Sequence, residues 1–524
     1  MKYDVIIVGA GASGLTAGAF LTKYGRKILI CEKQPRCGGL IFSYDRNGFV
    51  FDGGIRALEN AGALFPMLKA LDLELDCTSN QVSVGIEDRV ISIQSDADLD
   101  QYSQLLKDLY PRSAQEIETI AADMQEIMRY MDIQYGIDNP LFLDPKQDWK
   151  YFGTRVLPWM FQYAATVGKV TKKNIAVMQY LRNFTSNQSL LDIIAQHFFT
   201  ETPAFFALSY IKLYQDYFYP KGGTGKFTDL LVNAIQEAGG TIQTETEITS
   251  LNLAEKSVTD VNGKTYAYRQ LIWAADQNAL YRCLEKEKIS DPDLQSIIGK
   301  KRASLKKLQG NDSVLTLNLS VDLDPSYFKS ISAGHFFYTP SRHGQSQAGS
   351  PPSSGSWDTV RAWLDAFYPL TTYEISIPVL RDPAMAPTGK TGLIVSILFD
   401  YHLTRRIQEG GWYQQFKDHA KNSWASILTS SIYPELDGKI IDSFLSTPLT
   451  IQRVAGTTHG AITGWAFTNQ PVPAENRLIR IASAIQTPIP NIYQSGQWTY
   501  SPSGFPVSLI TGKLAADKVH KHLR

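Results

Sequence analysis

With 524 residues, 44% of them hydrophobic, and 51 basic side chains set against 51 acidic ones, the chain has the makings of two or three globular domains and no global field for steering a polyanion. No nucleic-acid partner is therefore expected. Cys31, Cys37, Cys77 and Cys283 include no CxxC pair, and the eight histidines form no HxxxH or HExxH spacing, which excludes a recognisable zinc site or disulfide framework.

The chain opens on MKYDVIIVGAG, whose apolar run is broken by glycines and lacks a cleavage site. No later stretch offers about 18 uninterrupted apolar residues. The expected location is cytoplasmic, with peripheral membrane contact left open.

Val5 to Val8 reads as a buried parallel strand, and Gly9-Ala-Gly11-Ala-Ser13-Gly14 follows at once. The first glycine suits a tight turn, the second a close approach to a pyrophosphate, and the third close packing of helix on strand. Leu15, Ala19 and Phe20 give the next helix its apolar face. Lys27 to Cys31 reads as a second strand ending at Glu32, placed to accept hydrogen bonds from ribose hydroxyls. A strand, glycines, a helix, a strand and a terminal Glu in one short unit predict a dinucleotide site; a plain βαβ turn would leave Glu32 unexplained.

Two glycine pairs come next, Gly38-Gly39 and Gly53-Gly54, on either side of a predicted hairpin that turns at Asn47-Gly48. Double glycines this close to a nucleotide fold let backbone lie against a flat ring, which favours FAD over NAD. Here the chain resembles the FAD-dependent amine oxidase and phytoene desaturase superfamily. The stretch Asn491 to Ala516, NIYQSGQWTYSPSGFPVSLITGKLAA, is similar to that family's closing strand, Gly-rich loop and flavin-facing helix.

The resemblance implies FAD as cofactor, held by Gly9, Gly11, Ser13, Gly14, Glu32, Lys33, Gly38, Gly39, Leu40, Gly53, Gly54, Ile248, Gly496, Gln497, Gly504, Phe505 and Pro506. Ile248 would hold adenine through its backbone. Arg56 is the one ionisable residue the resemblance brings beside the flavin, as a tentative catalytic or anchoring group; a surface salt bridge is the plainer reading. Leu40 and Gln497 depart from the Arg and Asp of many relatives, which draws the chain toward the carotenoid isomerase and retinol saturase branches.

The middle of the chain, from Ala97 to Tyr219, reads as mainly helical. Ser113-Ala-Gln-Glu116 has the form of a capping box, and Ile117, Ile120, Ala121, Met124, Ile127 and Met128 recur at helical spacing as core. Trp149 to Lys173 interleaves aromatics with Lys150, Arg155, Lys169, Lys172 and Lys173. That pattern suits an anionic membrane surface, or a helical lid with a solvated basic edge, and Pro158 argues against one unbroken helix.

YPKGGTGKFTDLL, Tyr219 to Leu231, looks like an ATPase phosphate loop, but Pro220 occupies the first glycine's place and Phe227 follows the lysine. The resemblance makes it the superfamily's PxGGxxxL return to the FAD domain. The expected helix carries Phe227, Leu230, Leu231, Ala234 and Ala238 on one face.

Thr241 to Leu251 predicts a strand, and Ser257 to Val261 pairs with Lys264 to Tyr268 in a hairpin before Leu271 to Asp276. Val314 to Val321, Ile375 to Leu380 and Leu393 to Phe399 predict strands of a substrate sheet. Ser341 to Trp357 reads as a loop too polar to pack, and His459 as a strand-end histidine.

The expected fold is α/β: a Rossmann-type FAD-binding domain, a discontinuous mixed-sheet substrate domain and a helical insertion that faces a membrane in one of the two readings. The boundaries are 1–80, 216–285 and 456–524 for the FAD domain, 81–96 and 286–455 for the substrate sheet, and 97–215 for the helices. The expected activity is an FAD-dependent oxidoreductase that desaturates, saturates or isomerises a carbon–carbon bond of a hydrophobic isoprenoid or other long lipid. A flavin amine oxidase and a catalytically silent FAD-containing lipid binder are the alternatives. No second GxGxxG provides for NADPH, so oxygen, a quinone or another carrier is the expected electron partner.

Overall fold

The computed structural model describes residues 2–285 and 288–524. Two seven-stranded sheets carry the architecture. In the first, Lys2–Val8 lies between Ile28–Cys31 and Thr265–Trp273, with all three strands parallel, and Thr241–Gln243 and Ile492–Gln494 extend the parallel part. Ser257–Asp260 and Ile248–Asn252 add antiparallel strands at one side. The parallel strands are apolar where both faces are covered, in the wholly buried runs Val5–Val8, Ile28–Cys31 and Leu271–Trp273.

The second sheet runs Ile440–Ser446, Ser313–Val321, Thr391–Phe399, Tyr373–Ser376, His335–Thr339, Val82–Ile86 and Arg89–Ile93. It is antiparallel except where His335–Thr339 meets Val82–Ile86. A chain segment from before residue 100 thus completes a sheet built mostly after residue 310. The helices between Asp98 and Tyr214 pack on that end of the sheet, in a core that includes Val82, Ile86, Ile93 and Phe337.

The hairpin Ser43–Arg46 and Phe49–Asp52 turns at Asn47 and Gly48, both at positive φ (56° and 81°), as predicted. Asp52 ends it and ties it to the Tyr219–Leu231 stretch. Its side chain accepts hydrogen bonds from Ser43 Oγ (2.7 Å), Tyr219 Oη (2.7 Å), Thr224 N (2.9 Å) and Thr224 Oγ1 (3.0 Å). The helix Gly225–Glu237 then buries Phe227, Thr228, Leu231 and Ile235, so its inward face is rotated from the expected one: Ala238 is exposed and Leu230 only half-buried.

Several expectations are corrected. The capping box at Ser113 does not form, because the Glu116 carboxylate is taken by the Thr185 hydroxyl and Ser113 Oγ receives Asn187 Nδ2. Thr241 to Leu251 is two strands, since the chain bends at Glu245 (φ 51°) to place Thr246 N on the carbonyl of Glu32 at 2.8 Å. The two segments Lys264 to Tyr268 and Leu271 to Asp276 merge instead into the one strand Thr265–Trp273. The strand expected at Ile375 to Leu380 stops at Ser376, because Pro378 has no N–H to give and opens a 3₁₀ turn.

Pro158 does not interrupt its helix: the five-residue π segment Phe152–Val156 precedes it, and the helical path continues from Trp149 to Lys172. The polar loop after Ser341 does pack, with Ser346 N and Oγ bound to the buried Asp192 at 2.8 and 2.7 Å. His459 sits not at a strand end but in the turn Thr458–Gly460, at φ 57°. No helix of the described residues is long and apolar enough to cross a membrane.

Candidate functional site

The glycine turn after the first strand is sterically obligatory. A Cβ on Gly14 would lie 2.0 Å from the carbonyl oxygen of Gly9, so the turn could not close against the helix Ala12–Lys23 with any other residue there. Gly11, by contrast, has nothing within 4 Å of an added Cβ, and it bridges to Gly38 across the opening. Two cavities meet at Gly11 and at Ala274 to Asp276.

One cavity, of about 580 Å³, is lined by Gly9, Glu32, Lys33 and Ile248. The Glu32 carboxylate is fixed there by Ala10 N (2.8 Å) and Gln34 N (2.9 Å), and its remaining lone pairs are available to a ribose. Ile248 contributes less backbone than expected, since its carbonyl already takes the Cys283 thiol and its strand pairs with Asp260. His459 also faces this cavity; burial, then His402 and Arg405, pull its pKa down to about 4.

The other cavity, of about 600 Å³, gathers Gly11, Ser13, Gly38, Leu40, Gly53, Gly54, Arg56, Gly496, Gln497, Gly504 and Phe505. Residues from the start and the end of the chain are brought together by the helices Ala12–Lys23 and Phe505–His522, whose N-terminal turns both open on it. Their close approach rests on Gly512, where a Cβ would lie 2.5 Å from the Ser13 carbonyl. Sequence reasoning missed this residue, whose only signal is a glycine inside an otherwise helical run. Gly14, Gly39 and Pro506 line neither cavity and shape the turns around them.

These residues fit a flavin dinucleotide. Ser13 Oγ is buried without a hydrogen-bond partner, the N-terminus of the helix Ala12–Lys23 offers N–H groups where a pyrophosphate would lie, and that of Phe505–His522 would face the ring. Farther along, the tip of the Phe42 ring packs against Gly53, where a Cβ would fall 2.0 Å from Cζ, and the Arg36 guanidinium sits 3.6 Å from the centroid of the same ring. Gly53 and Gly54 form the floor there, since a Cβ on either would strike a neighbour, the Phe42 ring or the Leu40 carbonyl.

Arg56 is not a surface salt bridge. It is 5% exposed, donates from Nη1 to the Asp52 carbonyl (2.7 Å) and from Nη2 to Ser396 Oγ (3.0 Å), and makes no ion pair among the described residues. It belongs to a polar group at the sheet end of the cavity that the sequence did not reveal. Arg381 donates to Asn80 Oδ1 (2.9 Å), Asn80 Nδ2 meets His335 Nδ1 (3.1 Å), and His335 Nε2 meets Glu374 Oε1 (2.9 Å). Because guanidinium can only donate, the Asn80 oxygen faces it and the amide nitrogen faces His335. His335 Nδ1 is then an acceptor, and the imidazole is neutral with its proton on Nε2.

Burial lowers the His335 pKa against the pull of Glu374. For Glu374 burial opposes ionisation, but the bond from His335 and the nearby Arg56 and Arg381 outweigh it and hold the carboxyl below its ordinary range. Next to this cluster the wall is aromatic, with Phe199, Phe206, Tyr210 and Tyr217, and the Tyr217 ring stacks on His335 at 5.9 Å between centroids.

The fold is shared with cyclohexylamine oxidase from Brevibacterium oxydans, on which the chain superposes over all of both chains with a TM-score of 0.58 at 14% identity. A family model described as an NAD(P)-binding Rossmann-like domain matches residues 7–71. In sequence the chain is similar along nearly its whole length to all-trans-retinol 13,14-reductase of Danio rerio, 21% identical over 94% of this chain and 82% of that protein. It is also similar to the chloroplastic prolycopene isomerase of Daucus carota, 22% identical over 88% of this chain and 71% of that protein. These similarities agree with the carotenoid isomerase and retinol saturase branch that Leu40 and Gln497 suggested.

Proposed function

We propose that the protein is an FAD-dependent oxidoreductase that acts on a carbon–carbon double bond of a retinoid-like, carotenoid-like or other isoprenoid lipid. The observation that carries this is the cavity of about 600 Å³, continuous from the glycine floor at Gly53 and Gly54 to the aromatic wall at Phe206, Tyr210 and Tyr217. Bound FAD would supply hydride chemistry at its N5. Glu32 would hold the ribose, the N–H groups at Gly11 to Ser13 the pyrophosphate, and the turns at Gly38 to Leu40, Gly53 to Gly54 and Gly504 to Phe505 the ring. Residues 1–80, 216–285 and 456–524 would form the cofactor domain in this reading.

The chain's own residues do the rest. The apolar wall orients an extended hydrocarbon and excludes water, while Arg56 and Glu374, the latter held in place by His335, are positioned to read one polar end group. Oxygen, a quinone or another carrier would exchange electrons with the site.

Substrate access from a membrane is supported by the helical segment 149–172. Trp149 is 63% exposed, Met160 55% and Phe161 71%, beside exposed Lys150, Arg155, Lys169 and Lys172 and with no acidic residue in the segment. Lys173 is not part of this face, because it pairs with Asp123.

The test is the mass of what denaturation releases, followed by anaerobic addition of all-trans-retinol or prolycopene to dithionite-reduced and oxidised protein. FAD in the supernatant and a saturated, desaturated or isomerised product are expected. Well-folded protein that carries no flavin, or a flavin protein that leaves every polyene unchanged, would overturn the reading.

A further inference from the structure

We propose that Glu59 is the proton donor of the cavity, a carboxylic acid that protonates the substrate carbon next to the one that accepts hydride. This rests on the function proposed above and names a residue for it. Reduction of a double bond forms two C–H bonds at the expense of one π bond. One takes a hydride from a two-electron donor of the reduced-flavin class, which is thereby oxidised, and the other takes the proton of Glu59. Glu59 is left as a carboxylate and recovers its proton from water. In the desaturating direction the same carboxylate receives the proton.

The other ionisable groups on the cavity wall are poorly suited: burial raises the phenol pKa values of Tyr44, Tyr210 and Tyr217 above the ordinary one, which weakens them as acids. Asp52 is engaged by four donors. Asp276 is held by Thr458 N (2.7 Å) and Ala279 N (3.2 Å) at the nucleotide end. His335 and Glu374 are bonded to each other, and guanidinium groups do not give up a proton at neutral pH.

Glu59 differs in place and in company. It belongs to the two-residue strand Leu58–Glu59, where it stands opposite Tyr217, and it lines the aromatic part of the cavity. Its carboxyl has no hydrogen bond or ion pair among the described residues, and the half-buried residue lines the cavity. The groups that bear on it are Asp216, just before Tyr217, with Tyr135 from the helix Ala114–Tyr135, Tyr210 and Tyr217. The cation in that direction, Lys212, is bound to Asp96 and Asp132. Burial first, and then the negative charge of Asp216, push the Glu59 pKa up to about 8. A carboxyl in apolar surroundings thus keeps its proton at neutral pH, where it can serve as an acid.

The experiment compares wild type, Glu59→Gln and the conservative Glu59→Asp as flavin-loaded proteins. In the infrared, wild type near neutral pH should show the carbonyl band of a protonated carboxylic acid that shifts in D₂O and is missing from Glu59→Gln. In single turnovers of dithionite-reduced protein with all-trans-retinol in D₂O, the saturated product of wild type should carry two solvent deuteriums, one delivered by Glu59 and one by the exchangeable N5 position of the reduced flavin. Its rate should fall as pH rises through about 8. Glu59→Gln should retain its flavin yet react about a hundredfold or more slowly with a flat profile, and Glu59→Asp should recover part of the rate and the pH dependence.

A Glu59-dependent carboxylate band at neutral pH would overturn the proposal and make the residue an anion suited to an amine. So would a Glu59→Gln protein that saturates the probe at the wild-type rate with an unchanged pH profile. Failure of the broader reading is read separately, from wild type that holds no flavin.

Discussion

Replacing Asp52 by asparagine should loosen the join between the Ser43–Asp52 hairpin and the Tyr219–Leu231 stretch, and with it the glycine floor at Gly53 and Gly54. Asp52 Oδ1 accepts Ser43 Oγ, Thr224 N and Thr224 Oγ1 at 2.7 to 3.0 Å, and Oδ2 accepts Tyr219 Oη at 2.7 Å. Hydrogen bonds to a charged acceptor contribute roughly 1.5–3 kcal/mol each, against about 1 for neutral pairs. Asparagine keeps the Oδ1 contacts without the charge and turns a donor toward Tyr219, so a loss of about 2–4 kcal/mol is expected. Tyr219→Phe removes a single bond and should cost about 1.5–3 kcal/mol. The two losses should not add, because both delete the same contact.

The assay is urea unfolding followed by tryptophan fluorescence on both single variants and the double variant, with flavin retention measured on the same samples. A double variant that loses the sum of the single effects to within about 0.5 kcal/mol would refute the claim that these side chains act through each other. So would an Asp52→Asn protein as stable and as flavin-rich as wild type.

Gly14→Ala places a methyl group 2.0 Å from the Gly9 carbonyl, and the purified protein should be colourless in an absorbance scan while the wild type is yellow. Phe161→Ser removes a ring that is 71% exposed, and should weaken cosedimentation with anionic vesicles by about tenfold or more; Lys169→Glu with Lys172→Glu should abolish the preference for anionic over neutral lipid. Acid unfolding should report Arg342, which holds the Glu87 carboxyl below its ordinary range through direct hydrogen bonds. That stabilisation is complete above the unfolded carboxyl's pKa and is lost as pH falls through the folded one, so Arg342→Ala should flatten the acid limb. Glu59 has the opposite sign: its folded pKa is raised from 4.5 to about 8, so stability falls as pH climbs across that window. The stability advantage of Glu59→Gln should therefore widen by up to about 1.4 kcal/mol per pH unit there.

The nucleotide half of the site was legible because its chemistry is local. Gly9 to Glu32 is one continuous unit whose spacing is dictated by a turn, a helix and a strand, and the hairpin at Asn47-Gly48 is likewise written in adjacent residues. Where local rules failed, a distant partner intervened: Thr185 took the Glu116 carboxylate from its cap, and the loop at Glu32 bent the strand after Gln243. The polar cluster of Asn80, His335, Glu374 and Arg381 was illegible for the same reason. Asn80 and His335 are 255 residues apart, and nothing in HFFYT or YEIS states that those strands are neighbours. Glu59 lies in the unremarkable run ALENAGALF, and its singular environment comes from an aromatic wall supplied by residues 199–217.

The chain of hydrogen bonds from Arg381 through Asn80 and His335 to Glu374 also restricts what that cluster can do in a reaction cycle. Protonating His335 at Nδ1 would require Asn80 to turn its oxygen inward and desert Arg381. Passing the Nε2 proton to Glu374 would leave an anionic imidazole in a buried site. Neither end of the imidazole can therefore cycle, and the cluster works as a fixed template: it can recognise the head of a molecule, turnover after turnover, without being chemically changed by it.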